Sequence, residues 1–199
     1  NLDDAADYFE EATEANDKVA SYFEYLGNTY GMIARDANVV RQGFLAPKMK
    51  AAWEKAVELD PKTIGARLSL IQYYLQAPGF MGGSVDKAIE TAKQILKLDA
   101  AQGNRQLGMI YEHEKKIAEA EKEYQAMVAA DVRYQSVLIN FYTLQSQPEK
   151  AFALLDQQLQ KNPDDMLAAY QYGKVAALSG KQLERGEQYL KKYLAYTPK

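Results

Sequence analysis

The chain has 199 residues and a mass of 22.4 kDa, with 47% apolar and 26% charged residues. Lys and Arg number 24 against 27 Asp and Glu, a net charge of -3, which lacks the basic excess of a bulk nucleic-acid binder. The absence of Cys excludes disulfides, thiol nucleophiles, Fe–S clusters and cysteine zinc sites, and a single His excludes any site needing two imidazoles. With 12 Gly and 6 Pro there are too few chain breakers for an all-β protein, while 15 Tyr stand out. No apolar run approaches 18 residues, so there is no membrane span, and no signal-peptide pattern is present. The helical pattern is already under way at Asn1-Leu2-Asp3-Asp4, which predicts an upstream segment.

Apolar residues recur every three or four positions almost throughout, and breakers separate the stretches, so about eleven helices are predicted. A leading helix carries Ala5, Phe9 and Ala12. The first pair carries Phe23, Leu26-Gly27 and Tyr30, then Trp53, Ala56 and Pro61. The second has Leu70-Ile71 and Tyr74, then Ala88 and Ala92. The third has Leu107-Gly108 and Tyr111, then Ala120 and Tyr124. The fourth has Leu138-Ile139 and Tyr142, then Ala151, Leu155 and Pro163. The fifth has Tyr172-Gly173 and Ala176, then Gly186, Leu190 and Pro198. The closing positions Asp17, Pro61, Ala100, Val132, Pro163 and Pro198 give a mean period of about 36 residues. Small residues such as Gly27, Gly108, Gly173, Ala88, Ala120 and Ala151 let paired helices approach, and the aromatics fill the space between pairs.

Two units are stretched. Extra residues at 34–43 lengthen the helices or add a loop before Phe44-Leu45-Ala46-Pro47. The second stretch, Gln76-Ala77-Pro78-Gly79-Phe80-Met81-Gly82-Gly83, lies between two helices, with Ser84 as the cap of the next one. Phe80 and Met81 there either tuck under the loop or are offered to a partner.

This pattern resembles the tetratricopeptide repeat family over nearly the whole chain, although no first helix carries that family's Trp. The resemblance implies an all-α, right-handed α-α superhelix of about five helix pairs plus a leading helix, forming one domain over residues 1–199. The segment Lys48 to Pro61, with its run Lys50-Ala51-Ala52-Trp53-Glu54-Lys55-Ala56-Val57-Glu58-Leu59-Asp60-Pro61, and the segment Tyr73 to Gly83 further resemble exported bacterial tetratricopeptide proteins of unassigned function. That second likeness implies a periplasmic or otherwise exported protein whose signal peptide has been removed.

Residues with chemical potential do not assemble into a catalytic or metal-binding pattern. His113 has no second His at zinc-helix spacing, and the acidic groups Asp3/Asp4/Asp7, Glu10/Glu11/Glu14 and Glu119/Glu121/Glu123 read as solvated helix faces. The sequence therefore reads as a non-enzymatic scaffold without cofactor or metal. The resemblance implies that the first helix of each pair lines a concave face that binds a peptide or partner protein. The residues projected there are Asn28, Gln72, Arg105, Met109, Arg133, Asn140, Tyr170 and Lys174. Amides suit a peptide backbone, cations its carboxylates and Tyr its side chains. Some members of the family clamp a C-terminal carboxylate, but at the matching places Glu24, Asn28, Ser69, Gln102 and Gln106 only Asn28 agrees.

The ends differ in charge. Residues 1–17 hold seven acids and no base, whereas residues 181–199 are net basic and carry Tyr189, Leu190, Tyr193, Leu194 and Tyr196. This predicts, as an alternative function, head-to-tail self-association through the C-terminal helix.

Overall fold

The protein is described here by a computed structural model, which covers residues 1–197. Pro198, the last closing position, and Lys199, the last cation of the basic end, lie outside the described residues. The described residues form eleven α-helices and no strand. They gather into two compact units, residues 1–123 and residues 124 onward.

The first unit begins with α1 (Leu2–Ala15), whose N-terminus is capped by Asn1: its side-chain oxygen accepts from the Asp3 and Asp4 amides at 2.8 and 3.0 Å. Then come α2 (Ala20–Arg35), α3 (Val39–Leu59), α4 (Gly65–Gln76), α5 (Val85–Leu98) and α6 (Ala100–His113). Each packs on the next, and α2 also touches α4, so first helices of adjacent pairs meet. Helix α7 (Ile117–Ala130) carries the boundary between the units. The second unit continues with α8 (Gln135–Leu144), α9 (Pro148–Lys161), α10 (Met166–Ser179) and α11 (Leu183–Leu194), and here α8 touches α10.

Close approach of the paired helices follows from their small residues. A Cβ on Gly27 of α2 would stand 2.6 Å from Nε1 of Trp53 on α3, inside any permissible contact. With no Cβ there, the indole packs on the α2 backbone and donates to the Asn28 side-chain oxygen at 2.9 Å. Ala56, Ala66, Ala88, Ala92 and Ile95 form a fully enclosed core around Leu70, Ile71 and Tyr74. A second cluster, of Ala6, Leu26, Tyr30, Ile33 and Leu45, joins α1, α2 and α3.

The filler tyrosines share a device the periodicity does not reveal. Tyr30, Tyr74, Tyr142 and Tyr172 sit on first helices, and each has a cation from the following helix over its ring. The partners are Lys48, Lys87, Lys150 and Arg185, at 5.2, 5.9, 5.1 and 4.8 Å from the ring centroid. The rings fill the space between helices, and the Lys and Arg stems cover their rims while keeping the charge near water. Tyr111, assigned to the same class, is only half-buried and packs at the edge of the α3–α6 core.

The stretch at 34–43 is resolved in favour of helix. Asn38 caps α3 by accepting from the Arg41 amide at 3.0 Å, and α3 runs for 21 residues against 10 to 16 in the others. Pro47 lies inside it and leaves the Gly43 carbonyl without its helical donor. Arg41 pairs with Asp3 of α1, and Lys48 donates to Glu10 of α1 at 3.2 Å. The helix ends at Leu59, and α9 ends at Lys161, each two residues before the expected prolines Pro61 and Pro163.

The joints are short. Asp99 alone connects α5 to α6: its amide donates to Ile95 and its side chain accepts from the Gln102 amide at 2.9 Å. Lys115, Ser146 and Gln182 hold left-handed backbones between the helices of three successive pairs, at φ of 58°, 56° and 54°. At the first two, the chain turns back onto the preceding helix through Lys116 to the Tyr111 carbonyl and Gln147 to the Tyr142 carbonyl, both 2.8 Å.

Candidate functional site

Helices α4 and α6 run in the same direction, because α5 between them reverses the chain twice. Arg67 near the start of α4 bonds Gln94 near the end of α5, and Tyr74 near the end of α4 meets Lys87 near the start of α5. Two parallel first helices thus leave a groove between them, with a cavity of about 380 Å³. Leu68, Ile71 and Leu75 of α4 and Met109 of α6 supply its apolar surface. Gln72 and Gln76 of α4 and Gln106 of α6 supply amides, and Arg105 and His113 are its only ionisable residues. No carboxylate lines it. The Arg105 Nε is buried without a hydrogen-bond partner, and Met109 remains 47% exposed.

Three of the eight projected residues, Gln72, Arg105 and Met109, therefore share one cavity. Gln106 and His113 also belong to it, although neither was singled out for binding from the sequence; they lie one residue and two helical turns beyond Arg105 on the same helix. Asn28 stands apart from the cavity. Its side-chain oxygen accepts from the Trp53 indole and from the Ser69 hydroxyl at 3.2 Å, a packing role between α2, α3 and α4.

In the second unit the other projected residues are dispersed. Arg133 lies in the one-turn 3-10 segment Val132–Tyr134 ahead of α8, not on a first helix, and its guanidinium folds back on Asp131 at 2.6–3.0 Å. That contact holds the Asp131 carboxyl below its ordinary pKa. Asn140 on α8 and Lys174 on α10 are exposed. Tyr170 is 42% exposed, but its ring leans on Tyr193 of α11 at 5.2 Å. Tyr189 likewise packs on Tyr172 at 4.8 Å.

The loop after α4 is braced. The Tyr73 hydroxyl donates to the Met81 carbonyl at 2.6 Å, and the Ser84 amide donates to the Tyr74 carbonyl at 2.8 Å. Gly82 takes φ of 96°, and a Cβ on Gly83 would collide with the Ala77 carbonyl. Met81 is half-buried, whereas Phe80 points outward with 91% of its surface exposed. Ser84 caps α5 as expected, accepting from the Lys87 amide at 3.3 Å.

A shallower cavity of about 360 Å³ opens between α1 and α3 over the floor of α2. Its two walls carry opposite charges, Glu10 and Glu14 facing Lys48 and Lys55. The Tyr30 hydroxyl and then Lys48 hold the Glu10 carboxyl below its ordinary pKa, while burial and Glu10 push Tyr30 upward. Tyr30, Glu10 and Lys48 satisfy one another, and Lys55 turns to Glu58 of its own helix at 2.9 Å.

Among the described residues no helix is long and apolar enough to cross a membrane, and no group of three or more His, Asp or Glu is placed to hold a metal. No protein-family model matches the sequence, and no curated protein matches it. Solved structures do match. A tetratricopeptide repeat protein from Parabacteroides merdae aligns over 98% of this chain and 73% of its own, at 13% identity and TM-score 0.58. A thermophilic TPR protein of Thermus thermophilus aligns over 97% and 91%, at 17% identity and TM-score 0.55. YrrB, described as a TPR protein with an unusual peptide-binding site, aligns over 95% and 92%, at 17% identity and TM-score 0.51. The consecutive helix pairs, the contacts between successive first helices and these alignments together establish that the chain has the all-α tetratricopeptide-repeat fold.

Proposed function

We propose that the protein is a non-catalytic interaction scaffold that holds an extended segment of a partner protein in the groove between α4 and α6. The observation that carries this reading is the cavity uniting Gln72, Arg105 and Met109 on two successive first helices. It combines apolar surface, amide groups and unmatched positive charge, the mixture that binds a peptide's side chains, backbone and carboxylates together. The peptide-binding site named for YrrB supports the reading by analogy of fold. The test is to select binding peptides from a random displayed library on the full chain and map them by amide NMR shifts. Shifts concentrated on residues 68–76 and 105–113 are expected; peptides that bind while leaving those signals still would sink the groove assignment.

Head-to-tail self-association has less support. The described cations of the C-terminal segment are engaged within its own unit: Lys181 with Glu149, Arg185 with Asp156, Lys191 with Glu187 and Lys192 with Asp164. Export from the cytoplasm rests on the two resembling segments, and fractionation of cells making the full-length protein tests it.

A further inference from the structure

Resting on that reading, the geometry points to a specific ligand class, and we propose it here: an extended peptide carrying an acidic side chain two residues from a large apolar one. The charge balance of the cavity is one-sided, with Arg105 and His113 on its wall and no acid opposite them. Arg105 also brings a buried Nε that no acceptor within the chain satisfies. The Arg105 side chain as a whole is half-buried and no carboxylate lines the cavity with it, so a ligand carboxylate meets a partly desolvated guanidinium and gains more here than at a fully solvated arginine.

The spacing follows from helix geometry. Met109 lies four residues beyond Arg105 on α6, one turn and about 6 Å along the axis. Alternate side chains of an extended peptide point the same way and stand about 6.6 Å apart. A carboxylate set on Arg105 therefore places the residue two positions away over Met109. From Leu68 to Gln76 the groove measures about 12 Å, room for roughly four extended residues. Gln72 and Gln76, one turn apart on α4, face the backbone of such a segment with both donors and acceptors. The ligand carboxylate is thus an internal side chain, recognised together with its apolar neighbour.

The experiment uses nine-residue, fluorescein-labelled peptides, capped at both ends, in a Ser/Asn/Gly host. One carries Glu and Leu two residues apart, a second has Gln for Glu, and a third has Glu and Leu adjacent. Binding to the full chain is read by anisotropy and by amide shifts on α4 and α6. The first peptide is expected to bind about tenfold more tightly than the second and more tightly than the third. Arg105→Gln, with helix content checked by circular dichroism, is expected to close the gap between Glu and Gln peptides while leaving the weaker binding. Equal binding of Glu and Gln peptides by the unaltered protein overturns the ligand class alone, as does a gap that survives in Arg105→Gln. If no peptide shifts the α4 and α6 signals at millimolar concentration, the groove reading itself falls and takes the ligand class with it.

Discussion

The two units are made of the same helix pair yet leave different surfaces for a partner. In each, a first-helix tyrosine is roofed by a cation from the next helix, as at Tyr74 with Lys87 and at Tyr142 with Lys150. What differs is how the remaining polar groups are spent. The second unit ties Arg133 to Asp131, leans Tyr170 on Tyr193 and pairs each described cation of its last segment with a carboxylate. The first unit leaves Arg105 and Met109 in an open cavity without an acid. Residues at equivalent places on a repeat are thus not equally available; availability depends on whether a neighbouring segment already supplies a partner.

The sharpest way to test this comparison is through the joints that set helix spacing. An added Cβ at Gly103 meets the Leu96 backbone, which cannot yield, whereas at Gly173 it meets the flexible end of the Leu190 side chain. Gly103→Ala is expected to destabilise by about 3 kcal/mol or more and Gly173→Ala by roughly half of that, read as urea midpoints. Equal losses would mean that the two units tolerate crowding alike.

A somewhat smaller effect concerns Tyr74, whose pKa is pushed up to about 12 by burial first and by the Glu54 carboxylate, to which its hydroxyl donates at 3.2 Å. The raised value favours the neutral phenol in the folded chain. Its contribution is complete below about pH 10, the unfolded value, and disappears as pH rises through about 12. Stability of the wild type should therefore fall by up to about 2 kcal/mol relative to Tyr74→Phe across that interval, measured by parallel urea titrations. A constant difference between the two proteins would show that the phenol does not titrate in place.

Next in size are two of the left-handed turns, taken one from each unit. Lys115→Gly and Ser146→Gly remove the same backbone strain and should each raise stability by about 0.5–1 kcal/mol, seen as higher melting temperatures. A gain at one and a loss at the other would place tertiary restraints on a turn that the comparison treats as local. The smallest expected effect is at the exposed pair of Lys181 with Glu149, where Lys181→Met should leave the melting temperature essentially unchanged.

Features set by local chemistry could be read from residues alone. Asn162-Pro163 and Asp60-Pro61 mark helix ends, Ser84 and Asp165 mark starts, and Gly27 and Gly173 mark close approach, because each acts within a turn or at one packed contact. The groove was legible in part: helical spacing places Gln72, Arg105 and Met109 on first helices, and the fold joins them. It could not place Arg133, since a one-turn segment and an adjacent Asp131 withdraw that side chain from helix α8. Nor could it reveal that Asn28 is engaged by Trp53 and Ser69, or that Tyr170 meets Tyr193. Such assignments depend on which neighbour reaches a side chain first, and periodicity carries no record of that.

The long helix α3 has a consequence of its own. Its early turns hold Arg41, Leu45 and Lys48, the residues that reach Asp3, the α1–α2 core and Glu10. The extra length at 34–43 therefore works as a strap across the leading helix. Shortening α3 by two turns would leave its pairing through Trp53 in place and α1 held on α2 alone, so an insertion that looks like slack in the repeat gives the leading helix a second hold.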